Sequence, residues 1–104
     1  MKLHVKNLIS PRGTKAVNQF SIESDSSIAF QSYDSTIAIY DKASNKLTFG
    51  CDWEFSVTTL RYLYIWLDDI YGTFEDEFTH SKNKHEYLQK LIDSGRILYD
   101  GGLK

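Results

Sequence analysis

Between Val17 and Cys51 no alternating segment runs longer than eight residues before a polar turn interrupts it. "VNQFSIES" (17–24) puts Phe20 and Ile22 on one side, and "IAFQSY" (28–33) does the same with Ile28 and Phe30. "STIAIYD" (35–41) pairs Ile37 with Ile39, and "KLTFGC" (46–51) aligns Leu47, Phe49 and Cys51. A period of two is the pattern of half-buried strands. Turns as short as "SDSS" (24–27) and "KASN" (42–45) leave no length for the crossover that parallel pairing needs. Neighbouring segments must therefore pair antiparallel, and the spacing predicts a meander. "KLHVKN" (2–7) alternates more weakly. It adds a candidate strand ahead of a turn in "SPRGTK" (10–15), where Pro11 fixes φ and Gly13 permits a positive one.

After Cys51 the pattern changes to helix. Ser56 is an N-cap for a run from Val57 to Tyr71, with Gly72 at the C′ position. "TFEDEFTH" (73–80) is an acidic connection. Ser81 caps a second helix that reaches Asp93 or Ser94, carries Lys84, Leu88, Leu91 and Ile92 in one stripe, and stops at Gly95. "RILYD" (96–100) is a last strand or a tail packed on the core, and "GGLK" frays. The expected fold is α+β: a small antiparallel sheet of four to five strands with two helices on one face, order ββββαα(β). Residues 1–104 make one domain, without internal repeats.

"CDWEFSVTTLRYLYIW" (51–66) spans the switch from sheet to helix and is crowded with aromatic residues. On the helix, Leu60, Leu63, Leu67 and Ile70 form one stripe, which predicts the face that packs on the sheet. Tyr62, Ile65 and Trp66 fall on a second side. Either the second helix covers that side, or Tyr62, Tyr64 and Trp66 present an interface of the residue types that dominate binding hot spots.

Hydrophobic content of 41% and charged content of 25% are those of a soluble globular domain. Net charge is −2 and the pI about 5.8, so no global basic field points to nucleic acid. One cysteine rules out a disulfide within the chain, the N-terminus carries no convincing signal-peptide core, and the longest apolar run is the six residues "YLYIWL". These observations predict a soluble, cytoplasmic protein that does not enter a membrane.

The candidate chemistry is sparse. His80 and His85 are five apart, the wrong spacing for two ligands on one helical face, and His4 stands alone; no metal site is expected. Cys51 lies in phase with Leu47 and Phe49, which predicts a buried small hydrophobe and not a nucleophile. No phosphate-binding glycine loop occurs. No catalytic residues and no cofactor are expected, and an enzyme is the least favoured class. "FQSYDS" (30–35) is unusually polar for a strand. Gln31, Ser32 and Ser35 suit a bend held by side-chain hydrogen bonds, or a recognition patch beside Tyr33.

Charge is unevenly distributed. The first twenty residues carry Lys2, Lys6, Arg12 and Lys15 and no acid. From Cys51 to Phe78 there are seven acids against the single base Arg61, a local charge of −6. An acidic surface competes for a nucleic-acid groove by placing carboxylates where phosphates would sit. That reading selects Asp68, Asp69, Glu75, Asp76 and Glu77 for charge and Tyr64, Trp66 and Tyr71 as anchors. The opposite reading has the four basic residues hold a single strand beside Tyr33 and Phe20. A third has the aromatic helix form a two-fold interface between copies, giving a homodimer.

Three phrases resemble a family of small proteins from bacteriophages and mobile elements: "NQF" at Asn18–Phe20, "FQSYDSTIA" at Phe30–Ala38 and "WEFSVTTLRYL" at Trp53–Leu63. The family pattern reads NQF, then FQSY…S…IA, then W-[DE]-[YF]-S-x-T-T-x-x-Y-L. Residues after Gly72 lie outside the likeness. The family has no settled function, so the resemblance implies a setting and not a reaction. It implies an accessory protein of the host-takeover or anti-defence kind, including the anti-CRISPR and anti-restriction class, acting by binding a host protein in the host cytoplasm. The expected partner is a defence or nucleic-acid-processing complex, with nucleic acid as partner only in the alternative reading.

Overall fold

The computed structural model describes residues 3–70 and 83–103. Six strands form one sheet: β1 (His4–Ile9), β2 (Lys15–Glu23), β3 (Ser27–Ser32), β4 (Ser35–Asp41), β5 (Lys46–Gly50) and β6 (Ile97–Asp100). They lie side by side in chain order, and the helices α1 (Val57–Ile70) and α2 (Lys84–Asp93) fall between β5 and β6.

The α+β class is as expected, but the sheet is larger and mixed. The first four pairings are antiparallel, and β6 runs parallel to β5, with Leu47 opposite Ile97 and Phe49 opposite Tyr99. The reason lies in the connection. Tight turns reverse the chain four times, whereas the helical excursion after β5 is long enough for the crossover that parallel strands require.

Cross-strand partners share a face. One face carries Phe30, Ala38 and Phe49 in one row and Tyr40, Leu47 and Ile97 in the next. The helices cover this face with Leu63, Trp66 and Leu67 from α1 and Leu88 and Leu91 from α2, joined by Trp53 of the intervening loop. Phe30 and Trp66 stack with ring centroids 6.0 Å apart, and Phe49 meets Trp53 at 5.3 Å. Burying these large side chains supplies most of the driving force for closing the two layers.

The helix α1 begins as the sequence predicts: the Ser56 hydroxyl accepts the Thr59 amide at 3.1 Å. Its buried stripe is rotated from the expected one. Thr59, Leu63, Trp66 and Leu67 face the core, while Leu60 and Ile70 are only half-buried. The helix turns to seat the large Trp66 indole on Phe30. The capping residue of α2 is Asn83, whose side chain accepts the Glu86 amide at 3.0 Å; the expected cap, Ser81, lies outside the described residues.

The tail does not fray at Gly101–Leu103. The Leu103 carbonyl accepts the Cys51 amide at 3.3 Å, and a Cβ placed on Gly50 would lie 2.5 Å from that same oxygen. Gly50 is thus a notch into which the tail fits. Cys51, expected to be buried, is half-buried because β5 ends before it, at Gly50.

Candidate interaction site

The segments that carry "NQF", "FQSY" and "WEFSVTT" meet at one corner of the sheet. Tyr33 and Asp34 form the turn between β3 and β4, and Tyr33 sits at φ +54°. A bulky side chain rarely adopts this left-handed conformation, so the surroundings must hold it there. The Tyr33 amide donates to the Asn18 carbonyl at 2.7 Å, and Gln31 Nε2 donates to the Tyr33 carbonyl at 2.8 Å. Asn18 itself has a φ of +63°, a conformation that asparagine tolerates.

The loop 51–56 faces this turn. Trp53 points inward and lies against Phe49 and His85, the latter with ring centroids 5.1 Å apart. Phe55, two residues on, is turned out to 79% exposure. Polar side chains tie the loop and α1 to the turn. Ser35 donates to Asp52 Oδ2 at 3.1 Å, the Ser32 and Thr59 hydroxyls lie 3.2 Å apart, and Ser56 donates to Thr59 Oγ1 at 3.1 Å. The unusual polarity of "FQSYDS" is thereby explained: Gln31, Ser32 and Ser35 build the scaffold, and Tyr33 is what the scaffold presents.

Between turn and loop lies a cavity of about 150 Å³. Tyr33 and Phe55 form its lips, Ile37 lies in its wall, and Asp52 and Thr59 supply polar atoms. Tyr33 is 55% exposed, and Val57, next but one to Phe55, is 75% exposed. A hydrophobic group is left in water only at a cost, so two exposed rings lining one cavity suit contact with something else.

The side chains expected to carry function are arranged differently. Trp66 is fully buried and cannot be a surface anchor. Tyr64 is half-buried, and desolvation raises its phenol above the usual pKa. Asp68 and Asp69 are exposed near the end of α1, but Asp69 pairs with Lys6 of β1 at 3.1 Å. Members of the expected acidic and basic sets thus neutralise each other. A groove beside β1 is lined by Lys6, Lys15, Asp68 and Asp69 together. Arg12 is exposed in the turn after β1. Lys2, Tyr71, Glu75, Asp76, Glu77 and His80 lie outside the described residues. His4 is exposed, and His85 pairs with Glu54.

Among the described residues no three His, Cys, Asp or Glu side chains gather as metal ligands would, and no helix is long and apolar enough to cross a membrane. Phe55 is the residue that sequence reasoning missed. It lies between the last strand of the meander and the helix cap, where no periodicity assigns it a face.

No curated protein and no solved structure matches the chain. A family of unknown function, DUF8033, matches residues 3–88, and the chain belongs to that family.

Proposed function

We propose that this protein acts by binding another protein through the corner where Tyr33 and Phe55 line one cavity. The observation that carries this reading is Phe55. It is a phenylalanine left 79% exposed, across a small cavity from a tyrosine held in a strained conformation. Strain of this kind persists where the surroundings over-determine it, and it clusters at functional sites. The likeness to bacteriophage and mobile-element proteins supports a host protein as partner, a component of a defence or nucleic-acid-processing complex, with inhibition in the host cytoplasm as the outcome. Asp34, Asp52 and Glu54 around the corner supply negative charge that attracts a basic partner. The test is capture from host lysate after nuclease treatment, comparing the wild type with a Tyr33→Ala/Phe55→Ala double variant. One stoichiometric protein retained by the wild type and lost by the variant is the expected result. Equal capture by both overturns the reading.

Self-association is a second reading, favoured by the sheet face opposite the helices. Val5, Ile22, Ala29, Ile39, Thr48 and Leu98 are aligned across all six strands on that face, with Val5 and Leu98 exposed. Concentration-dependent mass in sedimentation tests it; a monomer at all concentrations removes it.

A further inference from the structure

We propose that the cavity between Tyr33 and Phe55 receives an arginine side chain of the partner, with its guanidinium on Asp52. The inference rests on the corner being a protein-binding surface and names what that surface reads.

Size comes first. Pockets for cofactors and small molecules run from roughly 300 to 1,000 Å³. At about 150 Å³ this cavity suits one inserted side chain.

Lining chemistry comes second. Tyr33, Phe55 and Ile37 give the cavity its apolar lining, Ser32, Ser35 and Thr59 add hydroxyls, and Asp52 is the one carboxylate among its lining residues. That combination of lining groups matches a side chain with an apolar stem and a cationic head. Ser35 fixes the orientation of Asp52 by donating to Oδ2 at 3.1 Å, and the Cys51 thiol donates weakly to Oδ1 at 3.7 Å. A carboxylate offers about four acceptor positions, so the serine and the thiol leave capacity for a guanidinium. An inserted leucine or methionine would instead bury that carboxylate against a group that offers it no hydrogen bond.

Charge comes third. The turn and the loop carry Asp34, Asp52 and Glu54, and neither Lys nor Arg occurs from Cys51 to Leu60. A nucleobase stacked between the rings would bring its phosphate to this acidic corner, so the local field selects against nucleic acid. Arginine fits better than lysine because its planar head stacks on aromatic rings and sheds water more readily.

The test is an NMR titration of the full-length labelled protein with N-acetyl-arginine N-methylamide, its citrulline and norleucine counterparts, and thymidine monophosphate. The arginine compound is expected to shift the Tyr33, Asp52 and Phe55 amides with a dissociation constant on the order of 10 mM, the weak range for a single residue. Asp52→Asn should weaken this about tenfold, as expected for loss of one charge-assisted contact. Phe55→Leu, at an exposed position that leaves the fold undisturbed, should weaken it about threefold. Absence of arginine-induced shifts at these amides, or equal binding of the citrulline compound, overturns the proposal. Preferential binding of the norleucine compound also overturns it, yet leaves the corner as a protein-binding surface. Preferential binding of the nucleotide overturns both. Capture from lysate by the wild type and the double variant tests the corner itself independently of what enters the cavity.

Discussion

The Nζ of Lys6 lies 3.1 Å from Oδ2 of Asp69, so the edge strand β1 is tied to the last turn of α1 by a pair whose members belong to the two oppositely charged regions of the sequence. Both side chains are more than half exposed. Such pairs contribute little, because water screens them and two flexible side chains must be ordered. Lys6→Ala and Asp69→Asn are each expected to change unfolding free energy by less than about 1 kcal/mol in urea titrations. Neither should alter partner capture if the corner is the binding surface; loss of capture in Asp69→Asn would return the site to the helix end.

Trp66 separates a core role from an interface role. Its indole is fully buried against Phe30. Trp66→Ala is expected to cost about 3–5 kcal/mol, a large share of the stability of a small domain. Chemical denaturation monitored by far-ultraviolet circular dichroism reads this directly. A variant as stable as the wild type would contradict the packing described.

Tyr33 sets stability against binding. Asparagine tolerates the left-handed conformation that Tyr33 is made to adopt, as Asn18 and Asn45 do in this chain. Tyr33→Asn should therefore relieve strain and raise stability by about 1 kcal/mol, while removing one lip of the cavity and with it partner capture. A stability loss of similar size would mean that the ring contributes packing that outweighs the strain.

Gln19 is a second local cost. It is 1% exposed, and among the described residues neither atom of its amide has a hydrogen-bond partner. A buried amide in that condition destabilises the folded state. Gln19→Met, which keeps the length and flexibility of the side chain, should raise the unfolding free energy by about 1 kcal/mol. A decrease would show that the amide finds a partner in solution.

Tyr64 gives a pH signature. Burial raises its phenol pKa above the unfolded value, so the neutral form is favoured by folding. Its contribution to stability is fully present below the unfolded pKa, near 10, and is lost as pH rises through the folded value. Tyrosinate absorbance should show a late-titrating component that is missing in Tyr64→Phe. Glu23 is held below its ordinary pKa by the Lys42 ammonium at 2.7 Å, but its side chain is about half exposed, so screening by water should leave the acid limb of stability almost unchanged.

Local periodicity is enough to place β2 through β5, because each reads as alternation closed by a turn, and Ser56 is enough to place the start of α1. The direction of β6 is not legible in the same way. Strand polarity depends on the length and course of the connection, which "RILYD" does not carry. The face of α1 escapes periodicity for a related reason. Leu60, Leu63, Leu67 and Ile70 make the cleanest apolar stripe, but the position of Phe30 on the sheet decides which face has room for an indole. The corner is legible only in fragments. Ser35 and Asp52 are 17 residues apart, and Ser32 and Thr59 are 27 apart. Their pairing comes from the turn of the sheet and not from any local pattern.

The seat of Leu103 on Gly50 has a practical meaning for any handle attached to this protein. Leu103 bonds to Cys51, the immediate neighbour of Asp52, so the tail is held beside the loop that supports the corner. An affinity tag or reporter fused there would stand next to the surface whose partner it is meant to find. One fused ahead of β1 would leave from the far edge of the sheet, four strands away from β5.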